Sequence, residues 1–154
     1  MIHILQLLLL STVLYGCANE PQQPAPPPPT IVEVQIDADN QLNQDSTNKS
    51  APVLFRIYQL SEVSNFNAAD FFTLMEKEQL TLANTLVNKQ ELLLKVGESK
   101  KISLNPSTDV HAIGLFAAFR QLDSAQWRVY SEITANQSQQ IHVILKNNRI
   151  TIEK

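Results

Sequence analysis

The chain predicts an all-β fold, an antiparallel β-sandwich of about eight strands with a short added helical segment. Three observations predict it. Apolar and polar residues alternate from Thr30 to Ala38, the pattern of a half-buried strand. Further short runs rich in β-branched and aromatic residues recur to the C-terminus, separated by turn-forming residues. Strand and helix patterns do not alternate, as a parallel α/β sheet would require.

From Ile2 to Tyr15 the chain is almost wholly Leu, Ile, Val and small polar residues. That is shorter than the about 20 apolar residues a spanning helix needs, and it has the length of a signal-peptide core. A buried core helix is the competing reading, but the proline-rich sequence that follows gives such a helix nothing to pack on. The run closes on Leu14-Tyr15-Gly16-Cys17, and Cys17 is the single cysteine. An apolar stretch, a small residue and an unpaired Cys read as a bacterial lipoprotein precursor. Residues 1–16 are then the signal peptide and Cys17 is the lipidated N-terminus of the mature chain. Each buried CH₂ contributes about 0.8 kcal/mol and one acyl chain binds only marginally, so a diacylglyceryl group with a further amide-linked chain is needed to hold firmly. Ala18, rather than an inner-membrane retention Asp, points to the outer membrane, facing the periplasm.

Residues 17–29 carry the lipid and a tether. Pro21 to Pro29 reads Pro-Gln-Gln-Pro-Ala-Pro-Pro-Pro-Pro, which favours polyproline II at about 3.1 Å per residue. A ligand for a proline-reading domain has similar composition. Its place between the lipid and the first strand favours a spacer.

Residues 30–154 have the size of one domain. Within it, Val32, Val34, Ile36 and Ala38 alternate with Glu33, Gln35 and Asp37, and Val53 to Leu60 forms a second strand. Gln90 to Lys95 and Lys100 to Leu104 flank Val96-Gly97-Glu98, a hairpin turn with Gly97 at positive φ. Val110 to Phe119 is nearly continuous apolar sequence, a central strand covered on both faces. Trp127 to Ile133, Gln140 to Leu145 and Arg149 to Ile152 complete the set, the last two joined by a tight turn at Asn147-Asn148. Phe55, Ile57, Leu115 and Trp127 are expected in the core. A helix starts at Asn67 as N-cap with Asp70 in its first turn, and Ala68, Phe71, Phe72 and Met75 share its apolar face.

Chemistry-bearing patterns are missing. The formal charge of −3 lies wholly beyond Cys17 and lacks the basic face that nucleic acid demands. His111 and His142 lie in strand-like runs without metal-ligand spacing. There is no nucleophile elbow, phosphate loop or dinucleotide turn. Glu76 and Glu78, beside Lys77, read as solvated surface charge rather than an acid–base pair. Neither an enzyme, a metal, a cofactor nor a small-molecule substrate is expected.

Ser50-Ala51-Pro52-Val53-Leu54-Phe55-Arg56-Ile57-Tyr58-Gln59-Leu60 is followed by Phe66 and by Ala69-Asp70-Phe71-Phe72-Thr73-Leu74. Leu92-Leu93-Leu94 before Gly97, then Ala117-Ala118-Phe119-Arg120 and Trp127-Arg128, complete the series. In this order, behind a lipoprotein signal, the body resembles the TssJ family, the outer-membrane lipoproteins of bacterial type VI secretion systems. Val96-Gly97 stands where that family commonly has Pro-Gly.

The resemblance implies a transthyretin-like sandwich and a structural role. The protein would tether a trans-envelope complex to the outer membrane by binding the periplasmic C-terminal region of TssM, an inner-membrane protein. It also assigns that contact to the loop between the first two strands. Here the contact residues would be Asp39, Asn40, Gln41, Leu42, Asn43, Gln44, Asp45, Ser46, Thr47, Asn48 and Lys49, within a loop running on through Ser50 and Ala51. By composition this is a flexible polar loop, longer than most hairpin loops. Leu42, its one large apolar side chain, is the expected partner anchor. The rival reading is a periplasmic lipoprotein binding a small ligand, or an extended peptide at an edge strand.

Overall fold

The structure, a computed structural model, describes residues 24–153. The expected signal peptide at 1–16, Cys17 and the tether up to residue 23 lie outside the described residues. Pro24 to Pro29 is exposed and free of regular structure.

In chain order the strands are β1 (Ile31–Ala38), β2 (Val53–Leu60), β3 (Leu86–Leu94), β4 (Ser99–Leu104), β5 (Ala112–Ala117), β6 (Arg128–Glu132), β7 (Ser138–Lys146) and β8 (Arg149–Glu153). They form two four-stranded sheets, ordered β4-β1-β7-β8 and β3-β2-β5-β6. Val32, Val34 and Ile36 of β1 with Ile141, Val143 and Leu145 of β7 pack against Val53, Phe55 and Ile57 of β2 and Ile113, Leu115 and Ala117 of β5. The period-two alternation along each strand delivers these side chains to one interior. Phe55, Ile57 and Leu115 are fully buried, as expected, while Trp127 is half-buried between this core and a second one.

Two pairings depart from the expectation. β1 and β7 run parallel, with Ile31 beside Ser138 and Ala38 beside Leu145. Most of the domain intervenes between them, so no local turn announces the pairing. The Val96-Gly97-Glu98 turn does not make a hairpin. β3 pairs with β2 and β4 pairs with β1, so the turn carries the chain from one sheet to the other. Gly97 does take positive φ, +71°. A reversal signal says that the chain turns back, whereas the choice between pairing and crossing depends on the partners each strand finds elsewhere.

The helical segment covers the outer face of the second sheet. It comprises α1 (Ser64–Ala68), α2 (Phe71–Glu76) and α3 (Glu78–Leu82), rather than one helix. Asp70, not Asn67, is the N-cap of α2, its side chain accepting from the Thr73 N–H at 3.0 Å. The break before it is held from far along the chain. Arg128 donates to the carbonyls of Phe66 (2.7 Å), Asn67 (2.6 Å) and Ala69 (2.5 Å). Leu74 is the fully buried residue of α2, and Phe72 points outward, 60% exposed. Phe66, Leu74 and Leu82 meet Tyr58, Leu60 and Phe116 in the second core, which is why β2 and β5 are apolar on both faces. Gly114 allows this approach, since a Cβ there would lie 2.9 Å from Leu60 Cδ1 and 3.2 Å from Phe66 Cζ.

Arg56 pins the helices electrostatically. From β2 it donates to the Leu74 and Met75 carbonyls (3.2 and 3.0 Å) and pairs with Glu78 (3.1 Å) and Glu91 (2.7 Å). Glu78 is therefore not a free surface charge. It also pairs with Lys89 and accepts from the Tyr58 hydroxyl at 2.9 Å. Burial pushes the Tyr58 hydroxyl well above the usual phenol range.

The registers give the sandwich two distinct ends. At one, the start of β1 meets the turn before β7: the Asn136 N–H donates to Thr30 Oγ1 at 2.8 Å and the Ile31 N–H to the Gln137 carbonyl at 3.1 Å. The polyproline segment enters here. At the other end lie the β1–β2 loop, the β3–β4 crossing at Lys95–Glu98, the β5–β6 connection and the Asn147-Asn148 turn.

Candidate functional site

The β1–β2 loop runs from residue 39 to 52. It opens on a turn in which Asp39 accepts the Gln41 N–H on its side chain (2.8 Å) and the Leu42 N–H on its carbonyl (3.0 Å). Leu42 then plunges into the main core, fully buried. This corrects its expected role: an apolar side chain at the mouth of an open sandwich end lowers the free energy by filling the core, so Leu42 fastens the loop and is not presented to a partner. Asn43 follows, 2% exposed, at φ +49°. Its N–H donates to the Asn147 carbonyl (2.6 Å) and its side-chain amide to the Pro52 carbonyl (2.9 Å), while its Oδ1 accepts the Arg120 N–H (2.9 Å).

Beyond this root, residues 44–49 fold about Asp45. Its carboxylate accepts from the Thr47 N–H (2.9 Å), the Thr47 hydroxyl (2.6 Å) and the Lys49 N–H (3.0 Å). These bonds, the Thr47 hydroxyl foremost and the Arg120 charge adding to them, hold the Asp45 carboxyl down at about 2. Asn48 takes φ +61°, a conformation Asn tolerates better than most residues. Ser50 Oγ donates to the Asn40 carbonyl at 2.8 Å, tying the two sides of the loop together. The loop expected to be flexible is thus laced by its own side chains.

What stays exposed is Asn40, Gln41, Ser46, Thr47, Asn48 and Lys49, with Asp39, Gln44 and Asp45 half-buried beside them. Of the eleven loop residues named from the resemblance, only Leu42 and Asn43 are buried. The exposed set offers amides, hydroxyls and one ammonium, suited to hydrogen bonding with another surface. Arg120, which holds the loop from the β5–β6 connection, ends the Ala117-Ala118-Phe119-Arg120 stretch that carries the resemblance, but nothing local gives it this role, since its partners lie 71 and 77 residues away.

The two histidines stand apart from the loop. His111 Nδ1 lies 3.0 Å from the Ser61 carbonyl, and His142 sits between Asp37 (2.6 Å) and Glu153 (3.4 Å) on the outer face of the first sheet. Among the described residues no group of three or more His, Cys, Asp or Glu side chains is placed to hold a metal. An open cleft of about 640 Å³ runs along the edge strands β6 and β8, which are joined at one end where Gln126 bonds to Asn148 and Ile150; Val129, Tyr130, Glu132, Gln140 and Ile152 are among the residues lining it.

Comparison with known proteins places this architecture. Residues 30–148 match the family model described as type VI secretion lipoprotein, VasD, EvfM, TssJ, VC_A0113. The T6SS lipoprotein TssJ1 from Pseudomonas aeruginosa is similar at 32% identity and a TM-score of 0.79, over 82% of this chain and 96% of that one. Serratia marcescens Lip, a membrane-bound component of the type VI secretion system, is similar in fold at 23% identity and a TM-score of 0.75, over 80% of this chain and 97% of that one. A chain in a structure described as a type VI membrane complex is similar in fold at 21% identity and a TM-score of 0.71, over 80% and 98%. A comparison with curated proteins gives no match. With its model spanning the sandwich from β1 through β7 and a relative 32% identical over 82% of the chain, the chain belongs to the type VI secretion lipoprotein family that includes TssJ.

Proposed function

We propose that this protein is a lipid-anchored structural component of the type VI secretion membrane complex. It is held to the outer membrane by Cys17 and binds the periplasmic C-terminal region of a TssM-like inner-membrane protein through residues 39–49. The family is one of secretion-system lipoproteins, not of enzymes. The observation that carries the reading is the opposition of tether and loop. The tether enters at Thr30, and the loop leaves β1 at Ala38, at the far end of an eight-residue strand. At 3.2–3.4 Å per residue that is roughly 25 Å. A body hung from a membrane by Thr30 presents the loop towards a partner reaching across the periplasm.

The interface this predicts is polar and preorganised. Leu42 and Asn43 are spent on holding the loop, so binding falls to Asn40, Gln41 and Ser46 to Lys49. A loop already in shape loses little conformational entropy on binding. Exchanging Ser46-Thr47-Asn48 for Gly-Ser-Gly, with Leu42 and Asn43 kept, is expected to raise the Kd for the partner's C-terminal domain about tenfold, equivalent to 1.4 kcal/mol. Titration calorimetry measures it, and unchanged affinity moves the interface elsewhere. The cleft between β6 and β8 supports the second reading, an extended peptide at an edge strand. A wild-type protein with no affinity for the partner domain favours that reading.

A further inference from the structure

Arg120 closes the loop from outside. Its Nη2 donates to both the Asn43 carbonyl and the Lys49 carbonyl, each at 2.6 Å, and its Nε donates to the Asn43 carbonyl at 3.2 Å. Nη1 stands 3.6 Å from Asp45 Oδ2, and the backbone N–H of the same residue is taken by Asn43 Oδ1 at 2.9 Å. One side chain therefore spans the two roots of the 43–49 segment and faces the carboxylate at its centre. Both Asn43 and Asn48 lie at positive φ inside this span, conformations of raised energy that the chain keeps only when its surroundings over-determine them. Without the fork, the Lys49 carbonyl retains only the Asp45 N–H at 3.2 Å, and the segment keeps its internal bonds about Asp45 but loses the side-chain clamp that joins its two roots.

We propose that Arg120 is the positioning residue of the partner-facing loop: it holds residues 43–49 in the single shape that binds, so affinity depends on a side chain whose bonds all go to the loop itself. This rests on the proposed function and adds to it a specific dependence on the β5–β6 connection. A planar guanidinium is needed because its fixed fork reaches two carbonyls at once, whereas a lysine ammonium is a single point charge. When the binding-competent shape is only a fraction of the population, the apparent Kd rises by the inverse of that fraction.

The test uses the full-length protein in detergent, as wild type, Arg120→Ala and Arg120→Lys. Hydrogen–deuterium exchange is read by mass spectrometry, and the Kd for the purified C-terminal domain of the TssM-like partner is measured alongside. In both variants, exchange at residues 44–49 is expected to quicken at least tenfold while β2 and β5 keep their protection, and the Kd is expected to rise measurably, by the inverse of the fraction of loop that stays closed. A weaker Kd with unchanged loop exchange would make Arg120 a direct contact and overturn the proposal. So would a loosened loop with unchanged Kd, a lysine variant equal to wild type, or faster exchange throughout the sandwich. If the wild type itself does not bind the domain, the functional reading fails and this inference with it. The other overturning results leave that reading standing.

Discussion

Asn40 Oδ1 occupies the space beside Gly97, 2.7 Å from where a Cβ on that residue would sit. The β1–β2 loop and the crossing from β3 to β4 therefore touch, although 57 positions separate the two residues in the chain. Gly97 also lies at φ +71°, where an L side chain is strained. Gly97→Ala is expected to lower stability by about 1–2 kcal/mol, the cost of a Cβ in the left-handed region. Asn40 can swing into solvent, so the contact adds little beyond that. Urea unfolding measures the change, and an unaltered midpoint would mean that the crossing tolerates a Cβ.

Leu42→Ala removes a fully buried side chain from the main core. Its expected effect is a loss of about 2–5 kcal/mol in unfolding free energy, the range for such truncations. An exposed partner anchor would behave differently, leaving stability intact while affinity fell. Parallel urea titration and calorimetry separate the two.

Asp45 titrates low because the Thr47 hydroxyl, two backbone N–H groups and Arg120 all favour its charged form. Its ordinary value is 3.8 and its value in the loop is about 2. A carboxylate depressed by folding stabilises the loop above its ordinary value, and that contribution disappears as pH falls from about 3.8 towards 2. Thr47→Val deletes the first of these bonds and should raise the Asp45 midpoint. Side-chain carboxyl chemical shifts followed against pH report it directly, and a midpoint that stays put would assign the depression to the backbone donors or Arg120.

Cys17→Ser is expected to leave the sandwich folded and to release it from the membrane fraction. The residue precedes the polyproline segment, and both cores are assembled from residues beyond Thr30. Membrane fractionation with circular dichroism decides it, and a variant that still sediments with outer membrane would show that something else anchors the protein.

Much of the architecture is legible along the chain. Strand β2 falls at Val53–Leu60 as its composition predicts, and β5 is buried throughout, as its unbroken apolar run predicts. The left-handed turns at Gly97 and Asn147 are legible too. What reads poorly depends on distant groups. Asn67 looks like an N-cap, but Arg128 claims its carbonyl and those of Phe66 and Ala69, which moves the helix start to Asp70. Phe72 looks like a core residue at helical spacing, but α2 begins later and turns it out to solvent. The candidate loop is visible as a long polar connection, and its internal order is not.

By itself the sequence determined the strand set and most of the apolar faces, because each depends on the period and composition of residues close together in the chain. The tertiary structure decided the rest. It set β1 parallel to β7, sent the Gly97 turn across the sandwich, drew Leu42 inward and brought Arg120 to the loop. In each case the stabilising partner lies many residues away, and a side chain's free energy is settled by what it finally meets rather than by its neighbours in the chain.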